Sequence, residues 1–349
     1  MTRKLRIGLI PPLWTPIPPK TYGGIELMVH LLTEELARRG HDVTLFGTGD
    51  SRTAARLVPV CEQSILDYMA ATDACVYEAF ANAAVARVLE RSADFDLLHF
   101  HIGMNWLPFG LLSKCPALFT IHTFASYDDR WLVRHFPGVP LSCISRCQAA
   151  QVGEGMGRDL PVVYNGCDFA AFEPAFEPGQ YLAFLGRMSH DKNPLDAIRI
   201  AQSVGMPILL AGQAQSKKEE AYFEREIRPL IDGKNVRFLG PVDHAQKNEL
   251  LRHAAALIFP IQWAEPFGLV MIEAMACGTP ILARALGSVP EVIDQGVTGY
   301  HATEIPDLAA LLPKVLSLDR RRIRQHAESR FSFTRMVDDY ENLYATYLP

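Results

Sequence analysis

Four charged side chains in the second half of the chain have the types and spacing to hold a ligand with both phosphate and hydroxyl groups. Arg187 and Lys192 follow a short apolar run, and two cations at close range suit a diphosphate. Glu265 and Glu273 flank a nearly apolar segment, where a carboxylate needs a partner such as a ligand hydroxyl. Solvated surface cations and ordinary capping or pairing of the carboxylates are the competing interpretations.

The segment from residue 266 to residue 278 is predicted to be a buried helix. Pro266 suits the first helical position, Gly278 suits a left-handed stop, and Pro280 does not continue a helix. Because the segment is apolar almost all round, the helix should be buried. The unpaired backbone N–H groups at its start, near Gly268 and Leu269, form a candidate anion site.

Two features of the first half are further candidates for the site. Gly23 and Gly24 directly precede a predicted helix, so the backbone there has the freedom to approach a ligand closely. A plain tight turn explains the glycine pair equally well. His122 ends a predicted buried strand and is a candidate catalytic residue, and a structural histidine is the alternative.

Three other patterns are interpreted as structural. Asp94 and Asp96 have the look of a metal-binding pair but lead directly into a strand, which favours a turn. His99 and His101 alternate along that strand and are expected on one sheet face. Ser145 has two cysteines nearby but no flanking glycines of the nucleophile-elbow type, which argues against a serine or cysteine hydrolase. We therefore predict no metal site.

The composition places limits on the class of protein. The chain has 349 residues, 49% of them hydrophobic and 21% charged, which is enough for two domains. A net charge of −5 argues against a nucleic-acid partner. No run resembles a signal peptide or a membrane span, and the seven cysteines are scattered, so a cytoplasmic protein with reduced thiols is expected.

Apolar runs alternate with amphipathic segments along the whole chain and predict two series of β–α units. No G-x-G-x-x-G fingerprint follows the first strand, which argues against a dinucleotide enzyme. The fold class is α/β, with two Rossmann-like doubly wound domains facing a central cleft. The predicted divisions are residues 1–168, residues 169–330, and a helix at 331–349 that packs back on the N-terminal domain. Strands are predicted at 5–10, 41–46, 97–101, 117–122, 141–144, 162–168, 181–186, 207–211, 236–239, 256–260 and 281–285, and helices at 25–39, 62–92, 194–204, 217–231, 245–255 and 319–347.

Together these motifs resemble those of the retaining glycosyltransferases of family four, which have the GT-B fold. The residues that carry the resemblance are Glu265 and Glu273, Arg187 and Lys192, Gly23-Gly24, Tyr164-Asn-Gly-Cys-Asp168 and Gly287-Ser-Val-Pro-Glu291. The resemblance covers nearly the whole chain and is most specific in the second half. Ser288 departs from it, because many relatives have a second glycine there, and the chain is short for the family.

The resemblance implies a nucleotide-diphosphate sugar, expected to be UDP-linked, as the donor substrate and no other cofactor. By that likeness Arg187 and Lys192 bind the diphosphate with the backbone of Gly268 and Leu269, and Glu273 binds the ribose. Glu265 would contact hydroxyls of the transferred sugar, His122 would approach that sugar from the other domain, and residues 238–242 would contact the base. It also implies retention of the anomeric configuration, for which we favour metal-independent front-face attack.

Acceptor binding is expected in the N-terminal domain. The acceptor is a small molecule, a saccharide or a lipid, and the aromatic candidates for it are Trp14, Tyr22, Trp106, Phe124, Tyr127 and Trp131. Peripheral contact with the inner face of the membrane, through Arg38-Arg39, stays an open alternative to a solvated helix surface. The sequence carries no signal for an oligomeric state. A nucleotide-sugar isomerase or epimerase and a non-catalytic nucleotide-sugar-binding module are the competing functions.

Overall fold

The computed structural model describes residues 3–20, 23–71, 76–154 and 159–348, so the predicted role of Tyr22 lies outside the described residues. The chain divides into two compact units. The first unit comprises the residues up to Gly166 together with the C-terminal stretch from Phe333, and the second unit comprises Cys167–Ser332.

The first unit is built on a sheet of six parallel strands in the order β3-β2-β1-β4-β5-β6. The interior strands β1, β4 and β5 are almost wholly buried, as expected for apolar runs in a parallel sheet. Its strands are β1 (Arg6–Ile10), β2 (Asp42–Leu45), β3 (Arg56–Leu57), β4 (Leu97–Phe100), β5 (Ala117–Ile121) and β6 (Leu141–Cys143). Its helices before residue 166 are α1 (Gly24–Arg38), α2 (Ile65–Ala71), α3 (Tyr77–Glu90), α4 (Tyr127–His135) and α5 (Arg146–Gly153), with a 3₁₀ segment at Met104–Leu112.

The second unit repeats this plan with six parallel strands in the order β12-β11-β10-β7-β8-β9. Its strands are β7 (Tyr181–Leu185), β8 (Ile208–Ala211), β9 (Val236–Phe238), β10 (Ala254–Phe259), β11 (Ile281–Arg284) and β12 (Gly299–Ala302). Its helices are α6 (Pro194–Ser203), α7 (Lys217–Tyr222), α8 (His244–Arg252), α9 (Leu269–Ala276), α10 (Val289–Val292), α11 (Ile305–Leu316) and α12 (Arg320–Phe331). The predicted α/β class with two Rossmann-like sheets is confirmed.

Each sheet has one point where the strand order reverses direction. In the first unit it lies between β1 and β4, and in the second unit between β7 and β10. Open parallel sheets bind ligands outside the carboxyl ends of the strands at such a point. The loops that follow β1, β4, β7 and β10 are therefore the places to look for a site.

The last helix, α13 (Phe333–Tyr347), belongs to the first unit. Its buried side chains Val337, Tyr340 and Tyr344 join the core that contains strand β1. Arg39, which directly follows α1, forms ion pairs with Asp338 and with Glu341 of this helix. Arg38 pairs with Glu35, and its side chain remains 71% exposed.

Some predicted elements differ from the structure. The predicted strand at 162–168 is wrong, because this stretch forms only two isolated bridges, one from Val162 to Cys143 and one from Cys167 to Ser332. The predicted helix at 62–92 is two helices, α2 and α3, and residues 72–75 between them lie outside the described range. The helix predicted at 319–347 is also two, α12 and α13. The short strands β3 and β12 were not predicted, since two- and four-residue runs give little periodic signal.

We expect Arg320 to be essential for the stability of the second unit. Its buried guanidinium donates hydrogen bonds to the carbonyl oxygens of Ala175, Arg252 and Ala254 and to the Thr279 hydroxyl. Arg320→Met would leave these carbonyls buried without donors, which costs about 3 kcal/mol or more. Thermal unfolding should show a large decrease in the melting temperature.

The matched control is Arg322→Met, on the exposed face of the same helix. This variant should unfold close to the wild-type temperature. Equal melting temperatures for both variants would contradict a structural role for Arg320.

Candidate functional site

The four charged residues of the second half all lie in the second unit, near the point where its strand order reverses. Arg187 and Lys192 follow β7, and Glu265 follows the adjacent strand β10. Gly268 immediately precedes α9, and Glu273 lies within that helix. Because β7 and β10 are adjacent parallel strands, Arg187, Lys192 and Glu265 follow them at the same edge of the sheet. The sequence motifs predict this placement.

Glu265 is the centre of this edge. Its carboxylate is 7% exposed and accepts hydrogen bonds from the Lys192 ammonium and from Nε1 of Trp263, the latter at 3.0 Å. The Lys192 nitrogen also lies 4.9 Å from the centre of the Trp263 ring. A cation over an indole face is attracted by the ring quadrupole, so Trp263 holds both members of the pair. Sequence reasoning missed Trp263, although an indole two residues before a buried carboxylate was a readable signal.

The loop that carries Glu265 is held in place by contacts with Gly287-Ser288. The Ser288 backbone N–H donates to the Glu265 carbonyl oxygen at 2.9 Å, and its hydroxyl donates to the Phe267 carbonyl oxygen at 2.9 Å. Gly287 has a φ of +62°, and a Cβ there would lie 2.3 Å from the Glu265 backbone nitrogen. The serine in place of a second glycine is thus a buried structural contact that supports the loop.

The helix begins later than predicted. Gly268, in the left-handed region at a φ of +82°, precedes the first helical residue Leu269, so Pro266 and Glu265 lie in the loop. The prediction that Pro266 opens the helix is wrong, because a Gly at the cap position accommodates the sharp entry that Pro266 does not provide. The end is as predicted, since Gly278 adopts a φ of +77° after the last turn.

Glu273 pairs with a cation that sequence reasoning missed. Its carboxylate, in α9, contacts the ammonium group of Lys247 in the neighbouring helix α8. The Lys247 nitrogen lies 5.4 Å from the centre of the Phe172 ring. A buried carboxylate requires a nearby cation, and that requirement was the only sequence-level signal for Lys247.

Arg187 also has an acidic partner. Its guanidinium lies 2.5 Å from a carboxylate oxygen of Glu219, whose other oxygen accepts from the Gln215 backbone N–H at 2.7 Å. The backbone is tight here, because a Cβ on Gly212 would lie 1.8 Å from the carbonyl oxygen of Gly186. The side chain of Arg187 is therefore anchored to the first turn of α7, while the backbones of the loops after β7 and β8 approach each other closely.

The second unit thus presents three cation–carboxylate pairs that sum to no net charge: Arg187 with Glu219, Lys192 with Glu265, and Lys247 with Glu273. Each of these charged groups is partly or largely buried. A ligand that separates a pair must therefore give each group a new partner. A ligand with anionic oxygens and hydroxyl donors can satisfy both halves, since phosphates take the cations and hydroxyls donate to the carboxylates.

The glycine pair of the first unit lies at the start of α1, after β1. Gly23 has a φ of +149°, and a Cβ there would lie 2.8 Å from Pro19, while Gly24 is the first helical residue. Glu26, in the first turn, is 5% exposed. Burial raises the pKa of Glu26 to about 7, although the adjacent backbone and the Thr15 hydroxyl favour the ionised form.

His122 follows β5 and lies beside a second histidine. The distance from His122 Nε2 to His101 Nδ1 is 2.9 Å. Burial lowers the pKa of His122 to about 3, so the ring is neutral at neutral pH. As expected, His99 and His101 share one sheet face, with ring centres 3.9 Å apart. Both are buried.

The aromatic candidates for acceptor binding separate into two groups. Trp106 is 5% exposed, and its Nε1 donates to Asn82, so it is a core residue. Trp14, Tyr127 and Trp131 are exposed by 38%, 70% and 45%, which keeps them available for a ligand. Trp14 stacks on Tyr77 with ring centres 4.2 Å apart.

The acidic pair before β4 is structural. Asp96 accepts hydrogen bonds from the backbone and side chain of Arg6, and Asp94 pairs with Arg91. Among the described residues, no three His, Cys, Asp or Glu side chains are grouped to hold a metal ion. Within the same ranges, no helix has the length and hydropathy needed to cross a membrane.

Two family models match this chain. The model described as "Glycosyl transferases group 1" matches residues 168–330, and the model described as "Glycosyltransferase Family 4" matches residues 22–170. Among curated proteins, the chain is 26% identical to a glycogen synthase of Mycobacterium tuberculosis, over 93% of this chain and 89% of that protein. It is also 26% identical to the D-inositol 3-phosphate glycosyltransferase of Mycolicibacterium smegmatis, over 90% of this chain and 84% of that protein.

Solved structures agree with the two-sheet fold. The crystal structure of AviGT4, a glycosyltransferase involved in avilamycin A biosynthesis, superimposes with a TM-score of 0.73 at 26% identity, covering 98% of each chain. HepE of Anabaena, solved with UDP and glucose, gives a TM-score of 0.75 at 19% identity, over 98% of this chain and 100% of HepE. At that identity the likeness is one of fold.

The raised pKa of Glu26 predicts a specific dependence of stability on pH. Between pH about 4.5 and about 7 the folded state holds a proton that the unfolded state has lost. The free energy of unfolding should therefore fall as pH rises through this window, by about 3 kcal/mol in total. The Gln side chain of Glu26→Gln does not titrate, so this part of the decrease in the free energy of unfolding should be absent from the variant. Urea unfolding of both proteins at about pH 5 and about pH 8 would measure the difference.

Glu78→Gln is the control, since Glu78 is exposed on α3. It should retain the wild-type difference between the two pH values. If Glu26→Gln retained that difference too, the carboxyl of Glu26 would be ionised in the folded protein across this range.

Proposed function

Since this chain belongs to the glycosyltransferases that the group 1 and family 4 models describe, we propose that it moves a hexose from a nucleotide-diphosphate sugar to a hydroxyl acceptor, with retention of anomeric configuration. The observation that supports this proposal is the set of three partly or largely buried ion pairs in the second unit, whose members Arg187, Lys192 and Glu265 lie in the loops after β7 and β10. A nucleotide sugar is a ligand that offers both kinds of replacement partner, phosphates for the cations and hydroxyls for the carboxylates.

In the proposed donor complex, Arg187 and Lys192 bind the diphosphate, assisted by the backbone N–H groups at Gly268 and Leu269. Glu273 accepts hydrogen bonds from the ribose hydroxyls and is held in place by Lys247. Glu265 accepts hydrogen bonds from hydroxyls of the transferred hexose. Cations and a helix start act most strongly on phosphate oxygens, and carboxylates accept from hydroxyls, so each contact matches its chemistry.

The reaction breaks the bond between the anomeric carbon and the phosphate oxygen. Negative charge develops on the leaving diphosphate, and in this proposal Arg187, Lys192 and the start of α9 stabilise it without a metal ion. The acceptor oxygen forms its bond on the same face, and its proton passes to the leaving phosphate oxygen. In the first unit, His122, Gly23 and Gly24 remain proposed contacts of the substrates.

We propose UDP as the nucleotide of the donor. HepE, which has the same fold, was crystallised with UDP and glucose, and this makes UDP the first nucleotide to test. The acceptor is a hydroxyl of a small molecule, a saccharide or a lipid. Equal identity of 26% to a glycogen synthase and to an inositol phosphate glycosyltransferase gives no preference among these classes.

Donor binding should depend on both halves of the ion pairs. Lys192→Ala removes a diphosphate contact, and Glu273→Ala removes the acceptor for the ribose hydroxyls. Loss of a charged hydrogen bond costs about 1.5–3 kcal/mol, so each substitution should weaken UDP binding by about 10-fold to 100-fold. Isothermal titration calorimetry with UDP would measure this, after a thermal-shift comparison of UDP-, GDP- and ADP-sugars.

The control is Lys314→Ala, which removes an exposed cation from α11 and should leave UDP affinity unchanged. Unchanged affinity in both Lys192→Ala and Glu273→Ala would place the donor elsewhere. Incubating the protein with the donor sugar and following it by NMR tests the reaction class, because an isomerase would convert the donor without any acceptor.

A further inference from the structure

One face of the sheet in the first unit carries a layer of hydrogen-bonded polar side chains beneath α13. His99 has partners on both ring nitrogens, with the Tyr344 hydroxyl 2.8 Å from Nδ1 and the Thr120 hydroxyl 2.7 Å from Nε2. Thr120 in turn lies 2.6 Å from the Ser142 hydroxyl. Hydroxyl groups rotate to donate or accept, so His99 is satisfied in either tautomer.

His101 is different, because only one of its ring nitrogens has a partner. Its Nδ1 lies 2.9 Å from His122 Nε2, whereas its Nε2 is buried and has no hydrogen-bond partner. The ring itself is 1% exposed. The two rings contact each other directly, without a rotatable hydroxyl between them. One histidine must therefore donate and the other must accept across the 2.9 Å contact.

The unpaired Nε2 of His101 decides which histidine donates. If His122 donated, His101 would carry its proton on Nε2, leaving a buried N–H without an acceptor. If His101 donates from Nδ1, its Nε2 is a bare lone pair, and buried acceptors without a partner are tolerated more often than buried donors. The second arrangement also places the proton of the His122 ring on Nδ1.

We propose that His101 is a positioning residue that holds His122 in the tautomer with its proton on Nδ1, so that His122 offers an N–H donor to a hydroxyl or ring oxygen of the transferred hexose. The functional part of this inference rests on the proposed function. Within the described residues, Nδ1 of His122 makes no hydrogen bond and is not enclosed like Nε2 of His101, so it is free to meet a ligand.

This assignment restricts the chemistry of His122. With Nε2 occupied by the bond from His101 and Nδ1 protonated, the ring has no free lone pair and does not act as a base toward the acceptor hydroxyl. It acts as a neutral hydrogen-bond donor. A donor fixed before the substrate arrives needs no reorganisation at the moment of reaction.

The direct test is the tautomer of His122 in the full-length protein. Histidine-selective ¹⁵N labelling and two-bond ¹H–¹⁵N correlation spectra distinguish the two forms, and His122→Gln identifies the signal by its disappearance. We expect the proton on Nδ1 in the wild-type protein. In His101→Leu the proton of His122 should no longer be held on Nδ1. In His101→Asn the amide N–H replaces the lost donor, so the proton of His122 should stay on Nδ1. A wild-type His122 protonated on Nε2 would overturn the proposal.

The kinetic test compares the same variants with the preferred donor and acceptor. His101→Leu should lower kcat by tenfold or more with little change in the KM of the donor, and His101→Asn should recover most of the loss. Tyr344→Phe removes a partner of His99 in the same buried layer and should leave kcat near the wild-type value.

The two tests separate the two claims. Equal kcat in His101→Leu and wild type would overturn the positioning role. Absence of any transfer by the wild-type protein, with the proton of His122 on Nδ1 as expected, would overturn the proposed function while the hydrogen-bond assignment stands.

Discussion

The second unit depends on one constraint, which is that two carboxylates in an apolar environment must be paired. Glu265 and Glu273 are both more than nine-tenths buried, and each contacts a lysine from a different element. Removing one partner from such a pair leaves an uncompensated buried charge, which is strongly destabilising. One pair therefore holds α8 against α9, and the other holds the loop after β7 against the loop after β10.

This constraint explains why much of the candidate site could be proposed from the sequence. Arg187, Lys192 and Glu265 lie in the loops after β7 and β10, and Glu273 lies in the helix α9 that follows. Hydrophobic periodicity, together with Gly and Pro residues, marks these elements in the sequence. Parallel topology then brings strand ends to one edge. Lys247 and Glu219 were not predictable in this way, because they lie within ordinary amphipathic helices, and only three-dimensional packing selects them from the other charged residues.

The remaining errors have equally physical reasons. Pro266 was predicted to open a helix because its backbone suits that position, but Gly268 two residues later provides the left-handed turn and displaces the start. The predicted strand at 162–168 has the composition of a strand but forms only two isolated bridges. The hydrogen bond between His101 and His122 joins two adjacent strands, and no local pattern in the sequence encodes which nitrogen is left without a partner.

The position of α13 has a consequence for the order in which the protein is made. The second unit, Cys167–Ser332, is encoded entirely between two parts of the first unit. During synthesis it can complete its own core while the first unit still lacks Tyr340 and Tyr344. The sheet of the nascent first unit then has His99 and Thr120 uncovered until α13 has been made. A chain that stopped at Ser332 would hold a whole second unit and an unfinished first one, so the first unit can complete its core only after the second unit has been synthesised.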